Sequence, residues 1–156
     1  NAYFVPPPEV VGTLSARQED GIDVRLLLSG PYQDHPTVTF AQRRLYPQLE
    51  RSGVEIYEYL PSMMHAKTML IDDRLSLVGS MNLDFLSMEW LEEGALVVDD
   101  RSFAKTFEER WQIDMARSRR MTKPDASVRL RPEEASIPPR AAATGQTIQG
   151  GAPWQE

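Results

Sequence analysis

The sequence HAKTMLIDDRLSLVGSMN, residues 65–82, contains two short apolar segments separated by three polar residues. Residues 66–71 and 75–78 have the composition of strands, and Asp72-Asp73-Arg74 between them is typical of a tight turn. We therefore expect a β-hairpin that starts just after His65 and ends at Gly79-Ser80.

Strand-like and helical patterns alternate on both sides of this hairpin. Apolar runs predict strands at residues 2–5, 24–28, 54–59 and 95–98, of which 24–28 and 95–98 are expected to be buried. Helical spacing predicts helices around residues 10–14, 38–49, 83–91 and 103–115. Pro47 predicts a kink in the second helix. The arginines near residue 120 are expected to lie at the C-terminus of the last helix, where positive charge interacts favourably with the helix dipole. The alternation indicates an α/β fold with helices on a mixed sheet, in α-β-α layers.

The composition predicts one domain followed by a tail. The chain has 156 residues, of which 41% are hydrophobic, so one core is expected over residues 1–123. Residues 124–156 contain five of the twelve prolines and few large apolar side chains, which predicts a disordered tail. We find no apolar run long enough to span a membrane. Because the chain starts with Asn1 rather than Met, we expect it to lie within a longer polypeptide.

The charged and metal-binding residues exclude some functions. The absence of cysteine excludes a disulfide scaffold and a thiol nucleophile, and two histidines make a multi-histidine metal site unfavourable. A net charge of −6 argues against a broad nucleic-acid surface but leaves room for a local basic pocket.

Four residues of the hairpin region have side chains suited to an anion. On a strand, His65 and Lys67 would point to the same face, where imidazole can attack phosphorus or move a proton and the ammonium can bind phosphate oxygens. Gly79-Ser80 at a strand-to-helix turn would allow close backbone approach, and Asn82 can donate an N–H. Together they predict a phosphate or phosphodiester site without a metal. Each residue alone has an ordinary structural explanation, so the prediction depends on their joint spacing.

The pattern His65-x-Lys67-x4-Asp72, followed by Gly79-Ser80-x-Asn82, resembles the HKD motif of the phospholipase D superfamily. A wider set of segments resembles the second half of bacterial cardiolipin synthases over about residues 1–120, namely residues 3–6, 24–27, 53–59 and 82–84. The resemblance implies a phospholipase D-like half-domain with one HKD motif over residues 1–123.

The resemblance also implies a mechanism and roles for site residues. Two HKD motifs meet at a pseudo-twofold interface, where one histidine forms a phosphohistidine and the other acts as acid and base, with no metal or other cofactor. His65 is then catalytic, more in keeping with the acid/base than with the nucleophile, and Lys67, Ser80 and Asn82 bind the phosphoryl group or support its binding. Asp72 belongs to the catalytic motif, more as a structural partner than as a reacting group. Glu93 would orient the histidine of the other half, with Glu92 as the competing choice.

The reaction implied is phosphatidyl transfer between two phosphatidylglycerol molecules, which gives cardiolipin and glycerol. The partners implied are an upstream HKD half of the same polypeptide or a second copy as a homodimer, together with the cytoplasmic membrane surface. No nucleic acid is expected. One alternative is a single-motif homodimeric phosphodiesterase, either a phospholipase or a nuclease. Another is a binding module that has kept the fold and lost the reaction.

Overall fold

The computed structural model describes residues 1–121, which form eight strands and four helices. In chain order these are β1 (Phe4–Val5), α1 (Pro8–Glu19), β2 (Arg25–Ser29), α2 (Pro36–Arg51), β3 (Glu55–Tyr59), β4 (Thr68–Ile71), β5 (Leu75–Gly79), β6 (Leu83–Asp84), α3 (Phe85–Glu89), β7 (Ala95–Asp99), α4 (Arg101–Ala116) and β8 (Ser118–Met121). The predicted tail, residues 124–156, lies outside the described residues.

The strands and helices form a mixed α/β architecture, as the sequence predicts. Strands β2 and β3 are parallel, and β8 adds to β3 in the antiparallel sense. Strands β4, β5 and β7 form an antiparallel sheet that contains the predicted hairpin, and β1 pairs in parallel with β6. The hairpin therefore joins its sheet through β5, whose last residue, Gly79, pairs with Ala95.

The core lies between the parallel strands and the first two helices. Its buried side chains come from β1, α1, β2, α2, β3 and the turn before β3, namely Phe4, Val11, Leu28, Tyr46, Leu49, Val54 and Ile56. Burial of each large apolar side chain stabilises the fold by about 1.5–3 kcal/mol. This packing fixes the carboxyl ends of β2 and β3, from which the candidate site extends.

The prediction that the arginines near residue 120 lie at the end of the last helix is wrong for Arg119 and Arg120. Arg119 and Arg120 do not lie at the end of the last helix but in β8, where they pair with Glu58 and Glu55 of β3. The side chain of Glu58 is fully buried and also accepts two hydrogen bonds from Arg43, each of 2.8 Å. The arginines therefore neutralise carboxylates on a neighbouring strand rather than a helix dipole.

Two further predictions about local structure are wrong. The helix expected over residues 83–91 covers only Phe85–Glu89, because Leu83–Asp84 pair with β1 first. Strand β7 forms, but it is not buried, since Leu96 and Val97 remain more than half exposed. Helix α2 continues through Pro47 to Arg51.

Candidate active site

The candidate site lies in the irregular segment between β3 and β4. His65 and Lys67 precede the first residue of β4, so they are not on a strand as expected, yet their side chains meet. The Lys67 Nζ lies 3.0 Å from both ring nitrogens of His65 and donates to the His65 carbonyl oxygen at 3.0 Å. A neutral imidazole has one accepting nitrogen, so only one of the two ring contacts is a hydrogen bond at a time. The ammonium is therefore held against the imidazole of His65, equally close to both ring nitrogens.

Lys67 is largely buried, whereas His65 is exposed. Burial lowers the pKa of the Lys67 ammonium, and the negative charges of Glu93, Asp34 and Asp84 partly oppose this shift. Lys67 also lines a small cavity of about 40 Å³, together with Gly79, Met81 and other residues. The site therefore combines a desolvated cation with an accessible imidazole. This arrangement suits a bound anion that contacts the ammonium and then reacts with the neighbouring imidazole.

The segment after β5 is folded around the Ser80 hydroxyl. Ser80 Oγ donates to Glu93 Oε2 and accepts from the Gly94 N–H at 3.1 Å, while the Ser80 N–H donates to the Gly94 carbonyl oxygen at 3.0 Å. The Gly79 N–H donates to the Lys67 carbonyl oxygen at 3.0 Å, which links this segment to the histidine loop. Glu93 rather than Glu92 is thus the glutamate that contacts Ser80.

Gly79-Ser80 does not lie at a helix N-terminus as expected. Helix α3 begins five residues later, and its Ser87 N–H is already capped by the Asp84 carboxylate at 2.8 Å. The expected helix dipole therefore makes no contribution to an anion site at Ser80.

Asn82 is held by α3 and has one unsatisfied atom. Its Nδ2 donates to Ser87 Oγ at 3.3 Å, while its Oδ1 is buried without a hydrogen-bond partner among residues 1–121. Rotation of the amide by 180° lets Ser87 donate to Oδ1 and presents Nδ2 where the oxygen now lies. The hydrogen-bonding position now taken by Oδ1 is therefore unfilled within residues 1–121, but it is enclosed rather than open to solvent.

Asp72 lies apart from the other motif residues. It occupies the β4–β5 turn with a positive φ of 52°, which aspartate tolerates better than most residues. Lys67 precedes it by five residues, a span of roughly 16 Å along a strand. The structure therefore places Asp72 as a turn residue and gives it no contact with His65 or Lys67.

Sequence reasoning did not identify Tyr3 and Asp34, which border the site. The Tyr3 hydroxyl donates to Asp34 Oδ1 at 2.8 Å, and the Tyr3 ring meets the rings of His65 and His35 edge-on at 6.2 and 5.8 Å between centroids. Tyr3 and Asp34 are 31 residues apart, so no local pattern brings them together. The one available signal was the apolar strand at residues 2–5, which gives no indication of what it contacts.

Large apolar side chains of α3 and of the two residues after it are exposed to solvent. Phe85, Leu86, Trp90 and Leu91 are all more than half exposed, and Trp90 retains 74% of its accessible surface.

Within residues 1–121 no group of three or more His, Asp or Glu side chains is arranged to hold a metal ion. In the same part of the chain no helix is both long and apolar enough to cross a membrane.

Comparison with known proteins identifies one family. The family described as "Cardiolipin synthase, PLD-like domain" matches residues 1–115. Cardiolipin synthase B from Salmonella typhi is 37% identical over 112 residues, which cover 72% of this chain and 27% of that protein. Cardiolipin synthase A from Cronobacter sakazakii is 36% identical over 118 residues, 75% of this chain and 24% of the relative. The chain spans about a quarter of the length of these relatives.

Solved structures share the fold. Nuc from Salmonella typhimurium, a phospholipase D family member, superposes with a TM-score of 0.66 at 21% identity, covering 78% of this chain and 79% of that chain. NucT from Helicobacter pylori gives a TM-score of 0.61 at 15% identity, over 74% and 76% of the two chains. The predicted phospholipase D-like fold is thereby confirmed.

Proposed function

Because the chain belongs to the family of cardiolipin synthase PLD-like domains, we propose that it supplies half of a phosphatidyltransferase site. The complete site joins two phosphatidylglycerol molecules to give cardiolipin and glycerol. The observation that carries this proposal is the contact of the buried Lys67 ammonium with the exposed His65 ring, both ring nitrogens lying 3.0 Å from Nζ. That pair provides a phosphate-binding cation beside a group able to attack phosphorus or move a proton.

The reaction proceeds in two displacements at phosphorus. In the first, one histidine forms an N–P bond with the phosphatidyl group, the P–O bond to glycerol breaks, and the other histidine protonates the departing oxygen. In the second, that histidine removes a proton from a hydroxyl of the incoming phosphatidylglycerol, whose oxygen replaces the histidine on phosphorus. We assign the acid/base role to His65, while Lys67 and Asn82 stabilise the charged phosphoryl oxygens. Ser80 supports the segment between them, and Glu93 orients the partner histidine.

This mechanism requires a second HKD motif besides the one at His65. An upstream half of the same polypeptide is the favoured source, because the curated relatives are about four times as long as the matched segment. A second copy of the chain is the other source. The lipid substrate also implies contact with the cytoplasmic membrane surface, for which the exposed apolar side chains along α3 are suitable.

The test compares the two histidines of this chain in the natural full-length protein. Vesicles containing phosphatidylglycerol are incubated with the wild type, His65→Ala and His35→Ala, and cardiolipin and glycerol are quantified. We expect His65→Ala to lower the rate roughly 10³-fold or more, and His35→Ala to change it only a few-fold. Both melting temperatures should stay close to that of the wild type, because both side chains are exposed. Retained turnover in folded His65→Ala would contradict the assignment.

A single-motif homodimeric phosphodiesterase is the second candidate. It is favoured by the match to Nuc, a chain of which this fold covers 79%. The net charge of −6 disfavours DNA as its substrate. Phosphatidic acid in place of cardiolipin as the product, from a protein with a single HKD motif, would support this alternative.

A further inference from the structure

The loop that carries His65 is tied to the core through one hydroxyl group. Residues 60–67 have no regular secondary structure, and Met64 is the residue directly before His65. The Ser29 Oγ donates to the Met64 carbonyl oxygen at 2.8 Å. Ser29 is the last residue of β2, and its side chain is fully buried. The hydrogen bond therefore connects the backbone beside the histidine to the carboxyl end of a core strand.

We propose that Ser29 is a positioning residue for the reaction at His65, and that its hydroxyl fixes where the imidazole stands. The residue touches no reacting atom and acts through the Met64 carbonyl. This proposal rests on the proposed function, because it assigns Ser29 a part in the same reaction.

The position of Ser29 is itself fixed by a buried chain of hydrogen bonds. Gln42 Nε2 donates to the Ser29 carbonyl oxygen at 3.0 Å and lies 2.7 Å from the Tyr46 hydroxyl. Tyr46 in turn donates to Glu58 at 3.0 Å, and Arg43 binds the same carboxylate. The polar chain thus runs from a neutralised carboxylate through α2 to the histidine loop.

The backbone next to Ser29 is similarly constrained. A Cβ on Gly30 would lie 2.3 Å from the Tyr59 carbonyl oxygen, so the two parallel strands approach more closely here than any side chain permits. Since the histidine loop leaves from the end of β3, this close approach sets the distance that the Ser29 hydroxyl spans. Ser29 therefore has a rigid base from which to position the loop.

Loss of the hydroxyl should affect the rate rather than substrate binding. Displacement of a reacting group by about 1 Å can cost roughly 10²-fold in rate, whereas the phosphate-binding Lys67 is also held by the Gly79 N–H. We expect Ser29→Ala to lower kcat roughly 10- to 100-fold and to leave KM within about threefold.

The chain offers a matched control in Ser76. Its side chain is equally buried, but its Oγ has no hydrogen-bond partner within residues 1–121. Ser76→Ala removes the same atom from the same degree of burial without removing a hydrogen bond. We expect kcat to stay within about twofold of the wild type.

The experiment measures kcat, KM and melting temperature for the wild type, Ser29→Ala and Ser76→Ala in the full-length protein, with phosphatidylglycerol vesicles as the substrate. Amide hydrogen exchange of residues 60–67 is followed without substrate. A lower kcat at unchanged KM, with faster exchange in the loop for Ser29→Ala alone, supports the proposal. A folded Ser29→Ala with wild-type kcat overturns it and leaves the proposed function intact. If the wild type does not form cardiolipin, the proposed function fails. In that case, unchanged hydrogen exchange of residues 60–67 in Ser29→Ala also overturns the proposal that the Ser29 hydroxyl holds the histidine loop.

Discussion

Replacement of Gly79 by alanine should distort residues 79–82, the segment that we propose binds phosphate, without changing any side chain of the proposed site. A Cβ at this position would lie 2.6 Å from the Gly94 carbonyl oxygen and 3.0 Å from the Ala95 Cβ. The first distance is roughly 0.8 Å short of ordinary van der Waals contact. Both obstacles belong to the neighbouring strand segment, so the strands themselves must separate.

That separation acts directly on the Ser80 hydrogen bonds. The Ser80 N–H to Gly94 carbonyl bond of 3.0 Å and the Gly94 N–H to Ser80 Oγ bond of 3.1 Å both cross the gap that must widen. We expect overpacking to lower the unfolding free energy by about 1–3 kcal/mol. We also expect the displaced segment to lower kcat by roughly 10²-fold.

Gly94→Ala is the matched control for this prediction. A Cβ on Gly94 meets nothing within 4 Å, although the residue lies opposite the same gap. Urea unfolding and the cardiolipin-forming rate should therefore stay close to wild type in Gly94→Ala and fall in Gly79→Ala. The same stability and rate in both variants would refute the idea that close approach at Gly79 shapes the site.

Three further substitutions test the electrostatics and the helices. Lys67→Met should abolish transfer yet raise stability near pH 7, because the pKa of Lys67 is lower in the folded state than its ordinary value of 10.5. The wild type should gain stability relative to this variant only as the pH rises through the folded-state pKa towards 10.5. Melting curves at several pH values measure this difference. Arg43→Ala should cost about 3 kcal/mol in urea unfolding, because it leaves the buried Glu58 carboxylate poorly compensated, and a loss below about 1 kcal/mol would contradict this account. Gly12→Ala in α1 should raise the unfolding free energy by up to about 1 kcal/mol, since its Cβ meets nothing within 4 Å, and no gain would mean that the glycine has another role.

Local patterns were sufficient to predict much of the fold. The hairpin formed as expected because alternation and turn chemistry act over a few neighbouring residues, and β4 and β5 pair from Thr68–Val78 to Ile71–Leu75. The contact between His65 and Lys67 was also predictable, because the two residues are only two positions apart. The geometry of that contact could not be predicted, because both residues lie before strand β4 rather than on it.

The contacts that could not be predicted join residues far apart in sequence. Arg119 reaches Glu58 across 61 residues, and Ser29 reaches Met64 across 35. A sequence pattern records which face of a strand or helix is apolar, but not which strand lies beside which. The exposure of β7 was missed for the same reason, because an apolar strand is buried only where another layer covers it.

The charges around Lys67 explain how a buried ammonium can serve an anionic substrate. Burial disfavours its charged form, and the carboxylates of Glu93, Asp34 and Asp84 act in the opposite direction. All three carboxylates already accept hydrogen bonds, Glu93 from Ser80, Asp34 from Tyr3 and Asp84 from the Ser87 N–H. They can therefore favour the charged lysine while its donors remain directed at His65. An entering phosphate oxygen can then take a donor from Lys67 beside the imidazole, which is where the proposed transfer needs it.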